Sequence, residues 1–216
     1  MKAGLMREKI LKGAVELFLE RGIDKVSTRD LTEYLGISRS HIYHYFKDWP
    51  SLSLKAVEGF LNNELEEFCT RIEPLSAKTK LRELIDGMIT DKPDPSRKLY
   101  SSLWLLSRYN ENYKCLVQTC LAKWQQVLTD IIQSGINEQT FRAVDAKRIA
   151  RQLDALLLGY SEYLSNPVSE NTVKNAKEDI DDERVWHVLE EAQLKDFVKE
   201  LPGMLDMEIG ERGVRL

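Results

Sequence analysis

"VSTRDLTEYLGISRSHIYHYFKD", residues 26–48, decides the fold of this chain. Ser27 stands directly before a short apolar-periodic run, and Asp30 follows three residues later. In a capping box of this kind, each side chain satisfies the other residue's backbone N–H at a helix start. Val26, ahead of the cap, is placed to staple onto Leu31. Leu31, Tyr34 and Leu35 form the expected inward face, and Gly36 closes the helix after two turns. Ile37 then precedes Ser38, a second cap, and a third short helix is predicted to run to Tyr45 or Phe46. Two short helices joined by "LGIS", with glycine at the bend, are the sequence form of a helix-turn-helix.

The third helix separates into two faces at 100° per residue. Ile42 and Phe46 fall within about 40° of each other and face the core. Opposite them lie Ser40, His44 and Lys47, flanked by His41 and Tyr43, and Arg39 in the first turn can swing outward. His41 and His44 have a spacing that suits a metal, but tetrahedral coordination asks for a Cys, Asp or Glu nearby. The closest acids, Asp30 and Asp48, belong to other elements. A catalytic histidine asks for an orienting carboxylate and a nucleophile, and neither is evident. DNA asks for something else: Lys, Tyr and Ser/Thr on phosphates, Arg, Ser and His on base edges. An ordinary solvated helix face is the plain alternative, and the capped helix and bend ahead of it favour DNA. We therefore expect no catalytic residue, metal or cofactor, and do not read the chain as an enzyme.

The remaining sequence is helical on both sides of this unit. Ile10, Ala14, Val15, Leu17 and Phe18 mark a helix over 5–21 with Gly22 as its cap. Asp48 caps a fourth helix with Pro50 in its first turn, and Leu52, Leu54, Val57, Leu61, Leu65 and Phe68 carry it to about Thr70. Further helices are expected over 77–90, 97–108, 110–134 and 143–165, with "DKPDPS" and "SGINEQT" as breaks. "ALLLGY", 155–160, is apolar all round, so its helix should be covered on two sides. Beyond Pro167 the chain turns acidic, and a last amphipathic helix is expected over 184–201. No strand-like alternation stands out, so the fold class is all-α.

The chain has 216 residues, 43% hydrophobic and 31% charged, enough for a substantial core. Its formal charge is −4, yet residues 1–55 hold ten Lys/Arg against seven Asp/Glu, so the acidic excess lies in the rest. Three cysteines without a C-x-x-C pattern fit a reducing compartment. With no signal-peptide pattern and no apolar run near the roughly 20 residues of a membrane span, we expect a cytoplasmic protein without a membrane partner.

At this point the residues also match a family. "REKILKGAVELFLERGIDKVSTRDLTEYLGISRSHIYHYFKDWPSL" resembles the N-terminal domain of TetR-type transcriptional regulators. The resemblance covers roughly residues 6–60 and rests on the apolar first helix ending in glycine, the "ST-R-DL---LGIS" unit and the "IYHYFKD--SL" run. It implies a three-helix DNA-binding domain, 1–48, on a larger helical ligand-binding and dimerisation domain, 49–216. Carried onto this sequence, it puts Thr28 and Arg29 at phosphate, and Ser38, Arg39, Ser40 and His41 near base edges. His44 would reach bases or backbone, and Tyr43, Tyr45 and Lys47 would hold phosphates. Two positions depart from the pattern: Trp49 stands where the family usually has lysine, and His41 replaces a commoner small residue.

Trp104, the Trp124 helix, "GINEQTF" and "ALLLGYSEY" are similar to the BetI-like subgroup, named for choline-responsive repressors. The body is rich in rings, of which Tyr100, Trp104, Tyr109, Trp124 and Tyr160 are candidate ligand contacts, although most such rings serve as core. Leu153, Leu156, Leu157 and Tyr160, with the C-terminal helix, are the expected homodimer interface, because a helix-turn-helix gains affinity by binding two half-sites as a two-fold pair. The function expected is a ligand-responsive regulator, a repressor released from a palindromic double-stranded DNA operator by a small-molecule effector. The rivals are a helical enzyme using His41 and His44, a helical protein–protein adaptor, and a thiol sensor using Cys115 or Cys120.

Overall fold

A computed structural model describes residues 2–89, 96–165 and 175–176. Among these, eight α-helices follow one another: α1 (Lys2–Arg21), α2 (Thr28–Leu35), α3 (Arg39–Tyr45), α4 (Trp49–Ile72), α5 (Ala77–Met88), α6 (Ser96–Ser107), α7 (Glu111–Asn137) and α8 (Ala146–Ser165). One turn of 3-10 helix, Ile23–Lys25, links α1 to the segment before α2. No strand occurs among the described residues, so the chain is all-α as its periodicity predicts. The expected terminal helix at 184–201 and residues 91–95 of the "DKPDPS" break lie outside the described residues.

Helix boundaries follow the caps. Ser27 and Asp30 form the expected box: the Ser27 N–H donates to Asp30 Oδ2 at 2.8 Å, and the Asp30 N–H donates to Ser27 Oγ at 3.4 Å. Gly36 ends α2 in the left-handed conformation, φ 66°, where a Cβ is disfavoured. Ser38 caps α3, with its side chain accepting from the His41 N–H. Asp48 and Ser51 form a second box at the start of α4, with Pro50 in the first turn. Each cap satisfies N–H groups that the helix itself cannot.

The chain divides into two compact units. The first holds residues 1–76 and 91–128, the second 77–90 and 129–216. The core of the first unit gathers Ile10, Ala14, Leu17 and Phe18 of α1 with Leu31, Ile42, Phe46, Leu52, Val57 and Leu61, and continues through Leu99, Leu103, Tyr113 and Val117. The helix-turn-helix is thus packed on one continuous apolar cluster with α6 and the start of α7. In the second unit, Phe141 folds back under α7: a Cβ at Gly135 would stand 2.2 Å from the Phe141 ring, so only glycine fits there.

Two elements pack differently from expectation. Tyr34, assigned to the inward face of α2, is 53% exposed, and its hydroxyl donates to Glu16 of α1 at 2.8 Å. The phenol sits beside the core instead of in it because its polar end finds a carboxylate at the surface. On α8, Leu153 and Leu157 are buried whereas Ala155, Leu156 and Gly159 are exposed. "ALLLGY" is therefore covered on one side within the described chain.

Candidate nucleic-acid interface

The third helix is short, seven residues, and its two faces differ sharply. Ile42 is fully buried and Phe46, just past its end, is 4% exposed, so the helix is pinned to the bundle from behind. The Arg7 guanidinium lies 5.3 Å from the Phe46 ring centre and closes that contact at the rim. Ser38, Arg39, Ser40, His41, Tyr43, His44 and Lys47 are all exposed, and Tyr45 is half-buried. Residues 37–47 contain no carboxylate, so this surface carries cation, hydroxyl and imidazole only.

The side chains on this face are ordered by one another. Tyr45 lies between the two imidazoles, 5.7 Å from the His41 ring in a tilted arrangement and 5.0 Å from His44 edge to face. Ser38 and Ser40 share a hydrogen bond at 2.9 Å. The Tyr43 hydroxyl reaches across to Thr28 Oγ1 at 3.3 Å, tying α3 to the start of α2. Thr28 and Tyr43 thereby join a single surface spanning both helices. Arg29 is held differently: its Nε donates to Glu33 Oε1 at 2.8 Å on the same helix. Both groups are well exposed, so the pair is weak and an approaching phosphate can compete for the guanidinium. The sequence reading missed that pair, although its spacing of four residues is the signal that could have found it. The contact between Thr28 and Tyr43, fifteen residues apart, had no such signal.

Charge and cap chemistry agree with this picture. The Asp30 carboxyl is held below the usual carboxylate range by hydrogen bonds from the Ser27 hydroxyl and backbone. Asp48 is held low chiefly by the Ser51 N–H. Both acids nearest the third helix are thus occupied as caps and are not partners for His41 or His44. No group of three or more His, Cys, Asp or Glu that could hold a metal occurs among the described residues. Trp49, the departure from the family pattern, is half-buried and meets Phe18 edge to face at 6.1 Å. It packs the joint between α1 and α4.

The candidate ligand rings have different surroundings. Tyr100 is half-buried, 6.3 Å from Phe60, and its hydroxyl donates to Glu64 of α4. Trp124 tilts against Phe68 at 5.2 Å. It also lines a cavity of about 30 Å³ between α4 and α7 with Leu61, Leu65, Leu116 and Cys120, room for little more than water. Trp104 is half-buried against the core cluster. Tyr109 is 85% exposed and so encloses nothing. Tyr160 belongs to the second unit. Burial pushes the Cys120 thiol up to about 11, which keeps it protonated and unreactive near neutral pH; Cys115 is exposed.

Of the four interface candidates, Leu153 and Leu157 are buried inside the chain and cannot also face a second copy. Leu156, 41% exposed, and the half-buried Tyr160 retain surface. The polar bridges that hold the first unit together were not visible in the sequence. Ser102 Oγ donates to Asp24 Oδ1 at 2.6 Å, and Lys98 Nζ donates to the Glu20 carbonyl at 2.9 Å. They fasten α6 to the 3-10 turn and to the end of α1 respectively.

Comparison with known proteins bears on the same residues. Residues 10–48 match the model for bacterial regulatory proteins of the tetR family. The chain is 32% identical over 89 residues to the HTH-type transcriptional regulator YezE of Bacillus subtilis (strain 168), covering 41% of this chain and 46% of that one. It thus spans about half the length of that relative. To YvdT, an HTH-type transcriptional regulator of the same organism, it is 25% identical over 176 residues, 79% of this chain and 89% of that one. Among solved structures, a transcriptional regulator from Saccharomonospora viridis in complex with choline superimposes with a TM-score of 0.72 at 21% identity, over 83% of this chain and 97% of that one. The likeness to that structure concerns the fold alone. The family match lies on the helix-turn-helix of residues 27–45 built as described, so residues 10–48 are similar to the DNA-binding segment of the bacterial regulatory proteins of the tetR family.

Proposed function

We propose that this protein is a dimeric, ligand-responsive transcriptional repressor whose third helix enters the major groove of a palindromic operator. One observation carries the reading. A helix pinned from behind by Ile42 and Phe46 presents seven exposed residues of cation, hydroxyl, phenol and imidazole character, free of carboxylate. A groove lined by phosphates and base-edge acceptors is the surface that complements it. The chain acts by binding and not by catalysis.

In this reading residues 1–48 are the head and 49–216 the body. Thr28, Tyr43, Tyr45 and Lys47 hold the phosphates, and Arg29 joins them when it leaves Glu33. Ser38, Arg39, Ser40, His41 and His44 face base edges. The exposed Leu156 side of α8 meets a second copy, with Leu153 and Leu157 supporting it from inside. Two heads then sit one helical turn apart on a two-fold site. A small molecule is accommodated near Tyr100 and Trp124 after side chains move; the S. viridis regulator, similar in fold, was solved in complex with choline. The site of action is the cytoplasm; no described helix is long and apolar enough to cross a membrane.

The test is selection of bound duplexes from a random pool, followed by Lys47→Ala and Arg39→Ala. A palindromic consensus is the expected result. Lys47→Ala should weaken binding to all sequences alike and lower the slope of log affinity against log salt by about one. Recovery of no preferred duplex would remove the reading. An adaptor predicts the same protein with no salt-dependent DNA affinity at all.

A further inference from the structure

The third helix is unusual in what it lacks. Across residues 37–47 there is no Asp, Glu, Asn or Gln, so no side chain that accepts through a carboxylate or pairs as a carboxamide. The hydroxyls are already engaged. Ser38 accepts from the His41 N–H and shares a hydrogen bond with Ser40, and Tyr43 is paired with Thr28. Arg29, the other guanidinium near this surface, is held by Glu33. Arg39 is exposed, and among the described residues no ion pair or hydrogen bond engages its guanidinium. The surface therefore offers one free planar fork of donors.

Base-edge chemistry decides what such a fork can read. In the major groove guanine alone presents two adjacent acceptors, N7 and O6. Adenine pairs an acceptor with a donor and wants Asn or Gln, and cytosine presents a donor and wants Asp or Glu. Thymine offers a single acceptor and a methyl group. A helix with Arg39 free and no carboxamide or carboxylate is fitted to one of these four edges.

We propose that Arg39 is the specificity-determining residue of this protein and reads a guanine through N7 and O6 in each operator half-site. The inference rests on the DNA-binding function proposed above and narrows it to a class of site.

The experiment uses the full-length protein and the duplex enriched from a random pool. Each guanine of the half-site is replaced in turn by 7-deazaguanine, which lacks N7, and separately by inosine, which keeps N7 and O6 and lacks only the minor-groove amino group. One 7-deazaguanine position should weaken binding by roughly 5- to 100-fold, as loss of a bidentate base contact does, while inosine at that position changes little. Arg39→Ala should bind the unmodified duplex as weakly as the native protein binds the substituted one, with no further loss on the substituted duplex. Arg39→Lys should recover only part of the affinity, because an ammonium cannot form the fork. Circular dichroism identical to the native protein establishes that the variants fold. An enriched half-site without guanine overturns the proposal, as does indifference to 7-deazaguanine or an Arg39→Ala loss that adds to the base substitution; each of these leaves DNA binding itself standing. Failure to enrich any duplex removes the DNA reading and this inference with it.

Discussion

Ser53 of α4 and Tyr113 of α7 form a buried hydroxyl pair, 2.8 Å apart, with Ser53 2% and Tyr113 7% exposed. No buried side-chain polar atom among the described residues lacks a partner, so this bond closes the account for both groups. Removing one hydroxyl should leave the other without a partner where water cannot reach it. Ser53→Ala strands the phenol, and burial already pushes the Tyr113 hydroxyl above its ordinary range. The expected cost is about 1–3 kcal/mol. Tyr113→Phe strands a serine that can turn back to the carbonyl one helical turn earlier, so its cost should fall near the lower end, about 1 kcal/mol. The double variant leaves neither group orphaned, and two apolar surfaces meet. It should therefore lose clearly less than the two single losses combined, with a coupling of about 1–2 kcal/mol. Urea denaturation followed by tryptophan fluorescence resolves differences of this size. At about 2–4 °C per kcal/mol for a chain of this length, Ser53→Ala should lower Tm by roughly 2–12 °C. If the double variant lost as much as the two singles added together, the hydroxyls would not be partners and the bond between α4 and α7 would be absent.

Three further outcomes follow from the same structure. Gly135→Ala should destabilise the protein by about 1–3 kcal/mol through collision with Phe141, read as a lowered urea midpoint, and Phe141→Leu in the same chain should restore part of the loss. Leu156→Glu places a charge on the exposed side of α8; sedimentation should shift from a dimer towards the 25.0 kDa monomer and operator affinity should fall, whereas an unchanged dimer would place the interface elsewhere. Asp24, Asp30 and Asp48 all have folded-state pKa values below the unfolded value, by hydrogen bonds from Ser102, Ser27 and Ser51 respectively. Their contribution is present above the unfolded pKa of about 3.9 and disappears as pH falls through the lower folded values, so stability should decline below about pH 5. Asp154, raised by burial, works in the opposite direction, and Ser102→Ala should flatten the acid limb if Asp24 contributes to it.

Much of the head was legible from local chemistry. Ser27 with Asp30, Ser38, Gly36 and Asp48 each act within four residues, and a helix cap depends on little else. The split of the third helix into an Ile42–Phe46 back and an acid-free front follows from 100° per residue alone. These features recover both the helix-turn-helix and the surface proposed to meet DNA. The body was harder to read, because an apolar stripe says that a helix packs without saying on what. The rings of Tyr100, Tyr109 and Trp124 look alike in sequence, yet one is bonded to Glu64, one is almost fully exposed and one rests on Phe68.

The sequence by itself determined the all-α class, the caps, the bend at Gly36 and the chemical character of the third helix. Those properties depend on dihedral preference and on periodicity, both expressed over a single turn. Only the tertiary structure decided that Tyr34 reaches outward to Glu16, that Thr28 meets Tyr43, that Trp49 packs on Phe18, and that α8 is covered on one side among the described residues. Each of those depends on which partner lies opposite, and in a close-packed interior that is settled by the fit of whole helices against one another.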